Sequence, residues 1–308
     1  MTTAELSHRA LDWCLAVVPG ARRVIASERL RGGIAAITHA LSIELVDGGV
    51  RELVLRRFAG PVTPEWPPIG REVAALSILS EAPFGVAIPG VVAYDVTGVE
   101  CDLPAILLTR LTGSIDVSLS NIEGKVRELG RVLAALHRIA VEVPAGFEPF
   151  AIDFERRKKT SPLSGVDWNA AWEPLHELEY GPEQLLHGDF HLGNMLFEAR
   201  RPPSRITGVV DWTLVRSGPP ASEVGYCRVD LALLFGLDAA DIFLEAYEAA
   251  RGERVRDRVL WDLAGATRAY PDPASWLPGW TDAGRRDLTA ELVRRRLVTF
   301  LTRASSEL

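Results

Sequence analysis

Three polar residues stand out by type and spacing between Leu185 and Trp212: Asp189, Asn194 five positions later, and Asp211 at the far end. One carboxylate can orient a hydroxyl and accept its proton. An amide and a second carboxylate can hold magnesium, whose remaining positions go to phosphate oxygens and water. These are the parts that phosphoryl transfer needs, because that reaction depends on in-line positioning and charge neutralisation more than on covalent chemistry.

The surrounding residues must bring the three together. Apolar stretches on either side of the turn residues Arg200 to Ser204 read as a hairpin. Antiparallel pairing then makes Asn194, at the start of the first strand, and Asp211, at the end of the second, neighbours at the open end. Asp189 lies on the loop that feeds this end. His187 reads as a brace for the loop through hydrogen bonds. His191 has no assigned role beyond a satisfied or solvent-facing imidazole.

His187-Gly188-Asp189 followed by Asn194 has the spacing HxDxxxxN, and with Asp211-Trp212 the segment resembles the aminoglycoside phosphotransferase and choline kinase family, relatives of protein kinases. The resemblance implies a two-lobed, kinase-like α+β fold, with a β-rich N-terminal nucleotide-binding lobe over residues 1–111 and a larger, mostly helical catalytic and acceptor-binding lobe over 112–308. The hinge falls at about residues 106–114 and the nucleotide between the lobes. It implies transfer of the γ-phosphoryl group of ATP or GTP to a small-molecule hydroxyl, an aminoglycoside or other antibiotic being one candidate. Asp189 would be the base, and Asn194 and Asp211 the ligands of Mg2+.

The same resemblance extends to weaker signals in the first lobe. Arg56 in LVLRR looks like the strand cation that grips phosphate, and Glu72 in GREVAAL like its helical carboxylate partner. Gly32 and Gly33 resemble the loop that covers the phosphates, although an ordinary turn fits them as well. Thr213 stands where many relatives carry an acid, and Gly218 to Val224 replaces the family's GDPxxDL. Both departures concern supporting residues.

Periodicity sketches the elements. A helix is expected over Ala4 to Val18 after Thr3, and strands over Ile37 to Leu45 and Arg51 to Phe58 around Asp47-Gly48-Gly49. A helix follows over Ile69 to Ser80, then apolar runs at Ile88 to Tyr94 and Ala105 to Leu111. Amphipathic helices are expected from Asn121 and over 238–250, 255–268 and 284–303. Trp261, Tyr270, Trp276 and Trp280 are read first as packing residues.

Composition narrows the function classes. A net charge of -7 opposes a nucleic-acid partner, and 47% hydrophobic residues allow a sizeable core. Arg156 to Lys159 is a basic run of the kind that usually faces solvent. No apolar run reaches membrane-spanning length, and three scattered cysteines suit a reducing compartment, so the expectation is a cytoplasmic protein of open oligomeric state. Two other readings are a catalytically silent nucleotide-binding module and a metallophosphoesterase built on His187, Asp189 and His191. Retention of all three site residues opposes the first; the scarcity of further histidines opposes the second.

Overall fold

The computed structural model describes residues 6–30, 36–60, 62–63, 68–82, 84–141, 147–155, 168–198 and 205–308. Thr3, Gly32, Gly33, Arg156 to Lys159 and Arg200 to Ser204 lie outside the described residues. The chain divides into two compact units, one taking residues 1–81 with Ala87–Thr112, the other Ala82–Val86 with Gly113–Leu308.

The first unit begins with α1 (His8–Val17), where Ser7 Oγ accepts the Ala10 N–H and satisfies an orphan donor of the first turn. Strands β1 (Ala21–Arg29), β2 (Ile37–Leu45) and β3 (Val50–Arg57) follow, then α2 (Ile69–Ser80), β4 (Val91–Asp95) and β5 (Ala105–Thr109). The strands form one antiparallel sheet in the order β1-β2-β3-β5-β4. Alternation in β2 and β3 turns Leu41, Ile43, Leu53 and Leu55 into one core with Trp13, Cys14 and Leu107. Between β4 and β5, Asp95 accepts the backbone N–H groups of Thr97, Gly98, Glu100 and Cys101 and so fixes that loop.

The second unit holds α3 (Ile122–Leu136), the short α4 (Trp168–Trp172), strands β6 (Gln184–Leu186), β7 (Met195–Phe197), β8 (Ile206–Val209) and β9 (Arg216–Gly218), then α5 (Pro220–Phe235), α6 (Leu237–Arg251), α7 (Arg258–Thr267), α8 (Leu277–Asp282) and α9 (Ala290–Ser306). Helix α5 runs through the middle, buried continuously from Ser222 to Leu234. It meets α7 backbone to backbone: a Cβ on Gly225 would sit 2.1 Å from Trp261 O, and one on Gly265 would sit 2.6 Å from Gly225 O. No described helix is long and apolar enough to cross a membrane.

The expected hairpin forms as β7 paired with β8, and a second small ladder, β6 with β9, flanks it in sequence. Two local readings change. Helix α9 starts at Ala290, behind the Thr289 cap, since Gly284 at φ 104° breaks the helix expected from 284. Helix α5 has no counterpart in the sequence reading: a helix buried on all sides shows no polar face and hence no period.

Candidate active site

Register brings the hairpin residues together. Met195 pairs with Val209, and the Val210 N–H donates to Asn194 O at 3.0 Å, so Asn194 and Asp211 bracket the same end of the β7-β8 ladder. Asp211 sits in the left-handed region at φ 64°, which aspartate tolerates better than most residues. Its Oδ1 accepts the Thr213 hydroxyl at 2.6 Å, so Thr213, noted as a departure, orients the carboxylate it follows. Asn194 donates through Nδ2 to Asp189 O at 2.9 Å, which directs the amide oxygen away from that bond.

The loop carrying Asp189 is held from below. His187 is fully buried, donates through Nε2 to Val210 O at 3.0 Å and accepts the Asp189 N–H on Nδ1 at 3.2 Å. Burial keeps its pKa low, consistent with this neutral tautomer. Glu223 of α5 accepts the Gly188 N–H at 2.6 Å and the His187 N–H at 3.1 Å, and also faces His137 Nε2 at 3.1 Å. Burial would raise the Glu223 pKa, but His137, His187 and the Gly188 amide outweigh it and hold the carboxylate ionised. Gly188 has φ 82°, and a Cβ there would lie 1.8 Å from Leu214 O, so only glycine fits.

Asp189 itself is surrounded by donors. Tyr226 donates its hydroxyl to Oδ1 at 2.8 Å, Arg268 Nη2 stands 3.4 Å from the same oxygen, and His191 Nε2 stands 3.4 Å from Oδ2. Burial opposes ionisation, yet His191, Arg268 and Tyr226 together hold this carboxyl well below the usual carboxylate range. For His191 the balance is reversed: burial lowers the imidazole, but Asp189 lifts it to about 9. The Gly193 N–H, aimed at Nδ1 from 3.1 Å, opposes a second proton on that ring.

Asp230 is buried beneath this cluster, and burial with Asp189 nearby lifts its carboxyl to about 6 against the pull of His191. Tyr226 touches Trp276 edge-on at 6.0 Å, and Trp276 touches Trp280 at 5.8 Å. Of the four aromatic residues singled out in the sequence, Trp261, Tyr270 and Trp280 are buried and Trp276 is half-buried.

In the first unit, Arg56 of β3 donates through Nη1 to Glu72 Oε1 of α2 at 2.6 Å, with both side chains buried. A guanidinium is planar and forked, a shape that suits phosphate oxygens.

The donor set suits a hard cation. Asn194 and Asp211 offer oxygen, and among the described residues no group of three His, Cys, Asp or Glu is placed to hold a metal unaided. A cation here would share its coordination with phosphate oxygens, as magnesium does. A shallow surface depression edged by Glu173, Glu177 and Glu307 lies at the Arg258 end of α7, remote from Arg268 at the other end.

Sequence reasoning placed Asp189, Asn194, Asp211 and His187 on this cluster but missed Tyr226 and Arg268. Tyr226 and Arg268 lie 37 and 79 residues from Asp189, in segments with no motif of their own.

Comparison with known proteins agrees with this architecture. Macrolide 2'-phosphotransferase MphH from Brachybacterium faecium superimposes with a TM-score of 0.56 at 19% identity, covering 93% of this chain and 97% of that one. A thermostable mutant of aminoglycoside phosphotransferase APH(4)-Ia, in ternary complex with AMP-PNP and hygromycin B, gives a TM-score of 0.65 at 15% identity over 96% of this chain and 98% of that one. These likenesses show the shared kinase-like α+β fold. In sequence, acyl-CoA dehydrogenase family member 10 of Mus musculus is 27% identical over 57% of this chain, which spans 18% of that relative's length. The model of the phosphotransferase enzyme family matches residues 34–261, from the segment before β2 into α7, and the chain belongs to that family.

Proposed function

We propose that this phosphotransferase moves the γ-phosphoryl group of ATP or GTP to a hydroxyl of a small molecule. The observation that carries the reading is the joining of Asp189 to Asn194 at 2.9 Å, at the same ladder end as Asp211. The acceptor oxygen, hydrogen-bonded to Asp189, forms a bond to Pγ while the bond from Pγ to the β-phosphate bridging oxygen breaks. The hydroxyl proton passes to Asp189, and the products are a phosphate ester and a nucleoside diphosphate. A strongly ionised Asp189 suits this role, because a loose transition state asks for an oriented nucleophile more than for early deprotonation.

Asn194 and Asp211 would hold Mg2+, which supplies charge neutralisation on the phosphates when bound. Thr213 keeps the Asp211 carboxylate oriented, and His187 with Glu223 keeps the loop in place. Arg56, steadied by Glu72, supplies a phosphate grip. The aminoglycoside and macrolide kinases of the same fold make a hydroxylated natural product a suitable class in which to seek the acceptor.

The test is mass spectrometry on a pooled library of hydroxyl compounds incubated with protein, magnesium and each triphosphate, beside Asp189→Ala and Asp211→Ala. One compound should gain a phosphoryl mass with the native chain and not with Asp189→Ala. Nucleotide binding should survive in Asp189→Ala and weaken in Asp211→Ala. Undiminished transfer by Asp189→Ala would overturn the mechanism.

A further inference from the structure

Arg268 is the one permanent cation in contact with Asp189 among the described residues, and Asp189 does not account for its placement. Its guanidinium sits over Tyr226, 3.6 Å from carbon Cζ to the ring centroid, which holds the cation in place. Nη1 donates to Gly188 O at 3.0 Å, a firm bond. The Nη2 approach to Asp189 Oδ1, at 3.4 Å, is longer than the roughly 2.7–2.9 Å of a charge-assisted hydrogen bond. That oxygen already holds the Tyr226 hydroxyl at 2.8 Å.

A guanidinium carries five N–H donors. Two are spent on the Asp189 loop, and the side chain is 34% exposed, so the remaining donors face outward beside the carboxylate. Asp230, another acid near Asp189, is buried beneath it. On a chain of net charge -7, Arg268 thus places a positive group at the rim of Asp189. Tyr226 and the half-buried Trp276 add an apolar flank next to it.

An alcohol hydrogen-bonded to Asp189 comes within about 3 Å of that carboxylate, which leaves its neighbouring groups within reach of the outward donors of Arg268. We propose that Arg268 selects the acceptor by charge: the alcohol phosphorylated here bears an anionic group, a carboxylate in the simplest case, near its reacting hydroxyl, and polycationic acceptors are disfavoured. This rests on the assignment of Asp189 as the residue that receives the acceptor hydroxyl.

The experiment uses three alcohols of one shape: 4-(hydroxymethyl)benzoate, the corresponding benzamide, and 4-(aminomethyl)benzyl alcohol. Their dissociation constants are measured by ligand-observed NMR on the native chain with magnesium and a non-hydrolysable triphosphate, then on Arg268→Gln and Arg268→Lys. The carboxylate should bind roughly ten-fold more tightly than the amine, the scale of one charge interaction near a surface. Arg268→Gln should bring the two within about two-fold, while Arg268→Lys, which keeps the charge, should retain most of the preference.

Equal affinities, preference for the amine, failure of the carboxylate to bind, or an anion preference unchanged in Arg268→Gln would each overturn the proposal. If Arg268→Gln does not fold, the comparison within the native chain and Arg268→Lys still decides it. Because the readout is binding, its failure is separable from failure of the phosphotransferase reading, which Asp189→Ala tests by product mass.

Discussion

The Glu223 carboxylate, 3% exposed within α5, takes the Gly188 N–H at 2.6 Å and so ties the central helix to the residue before Asp189. Glu223→Ala would leave two backbone amides and His137 short of an acceptor in a dry site. The expected cost is about 3 kcal/mol of stability, read as a fall in chemical-denaturation midpoint, with transfer activity lost alongside. A variant as stable and active as the native chain would show that the carboxylate is dispensable.

Gly188→Ala should be at least as damaging to activity. The added methyl would collide with Leu214 O at 1.8 Å and would also strain a backbone held at φ 82°. The loop must then move, so product formation should fall by roughly a hundred-fold or more. Nucleotide binding, measured by equilibrium titration, should fall much less.

Asp230 makes stability depend on pH. Its folded pKa of about 6 lies above its unfolded value, so the contribution it makes when protonated is present below pH 4 and is lost as pH rises through 6. Its buried Oδ2 has no hydrogen-bond partner among the described residues, which leaves the charged form poorly compensated. Asp230→Asn should therefore gain melting temperature relative to the native chain between pH 5 and pH 8, by at most about 3 kcal/mol in free energy. A difference that is flat across this range would contradict the assignment.

Cysteine chemistry offers an independent check on packing. Burial pushes Cys14 and Cys101 up to about 12, with Cys101 adding to the shift of Cys14 and Asp102 to that of Cys101, and burial raises Cys227 as well. All three are free and buried. Native protein at pH 8 should resist iodoacetamide at every cysteine, and denatured protein should take three labels. Rapid labelling of Cys14 in the native state would count against the packing of α1 on its sheet.

What could be read from the sequence was what is local. Alternation in β2 and β3, the spacing of Ile69 to Ser80 and the run from Asp189 to Asn194 each encode their geometry within a dozen residues. Helix α5 could not be read, because burial on every side erases the polar face that a periodicity search needs. Gly284 and Thr289 moved the start of α9, since a left-handed glycine and a cap outweigh a permissive pattern. Tyr226 and Arg268 were hidden for another reason: they meet Asp189 only through the packing of α5 against the end of α7, and no short motif records a long-range contact.

That packing has an evolutionary corollary. Tyr226 directly follows Gly225, and Arg268 lies three residues beyond Gly265, so the ring and the cation ride on two helices whose main chains touch. Any mutation that adds bulk at either glycine drives those helices apart and unstacks the pair. The spacing between Asp189 and its flanking charge is therefore locked against gradual change, and descendants of this chain that acquire new acceptors must do so by exchanging side chains around the rim while the helical frame stays as it is.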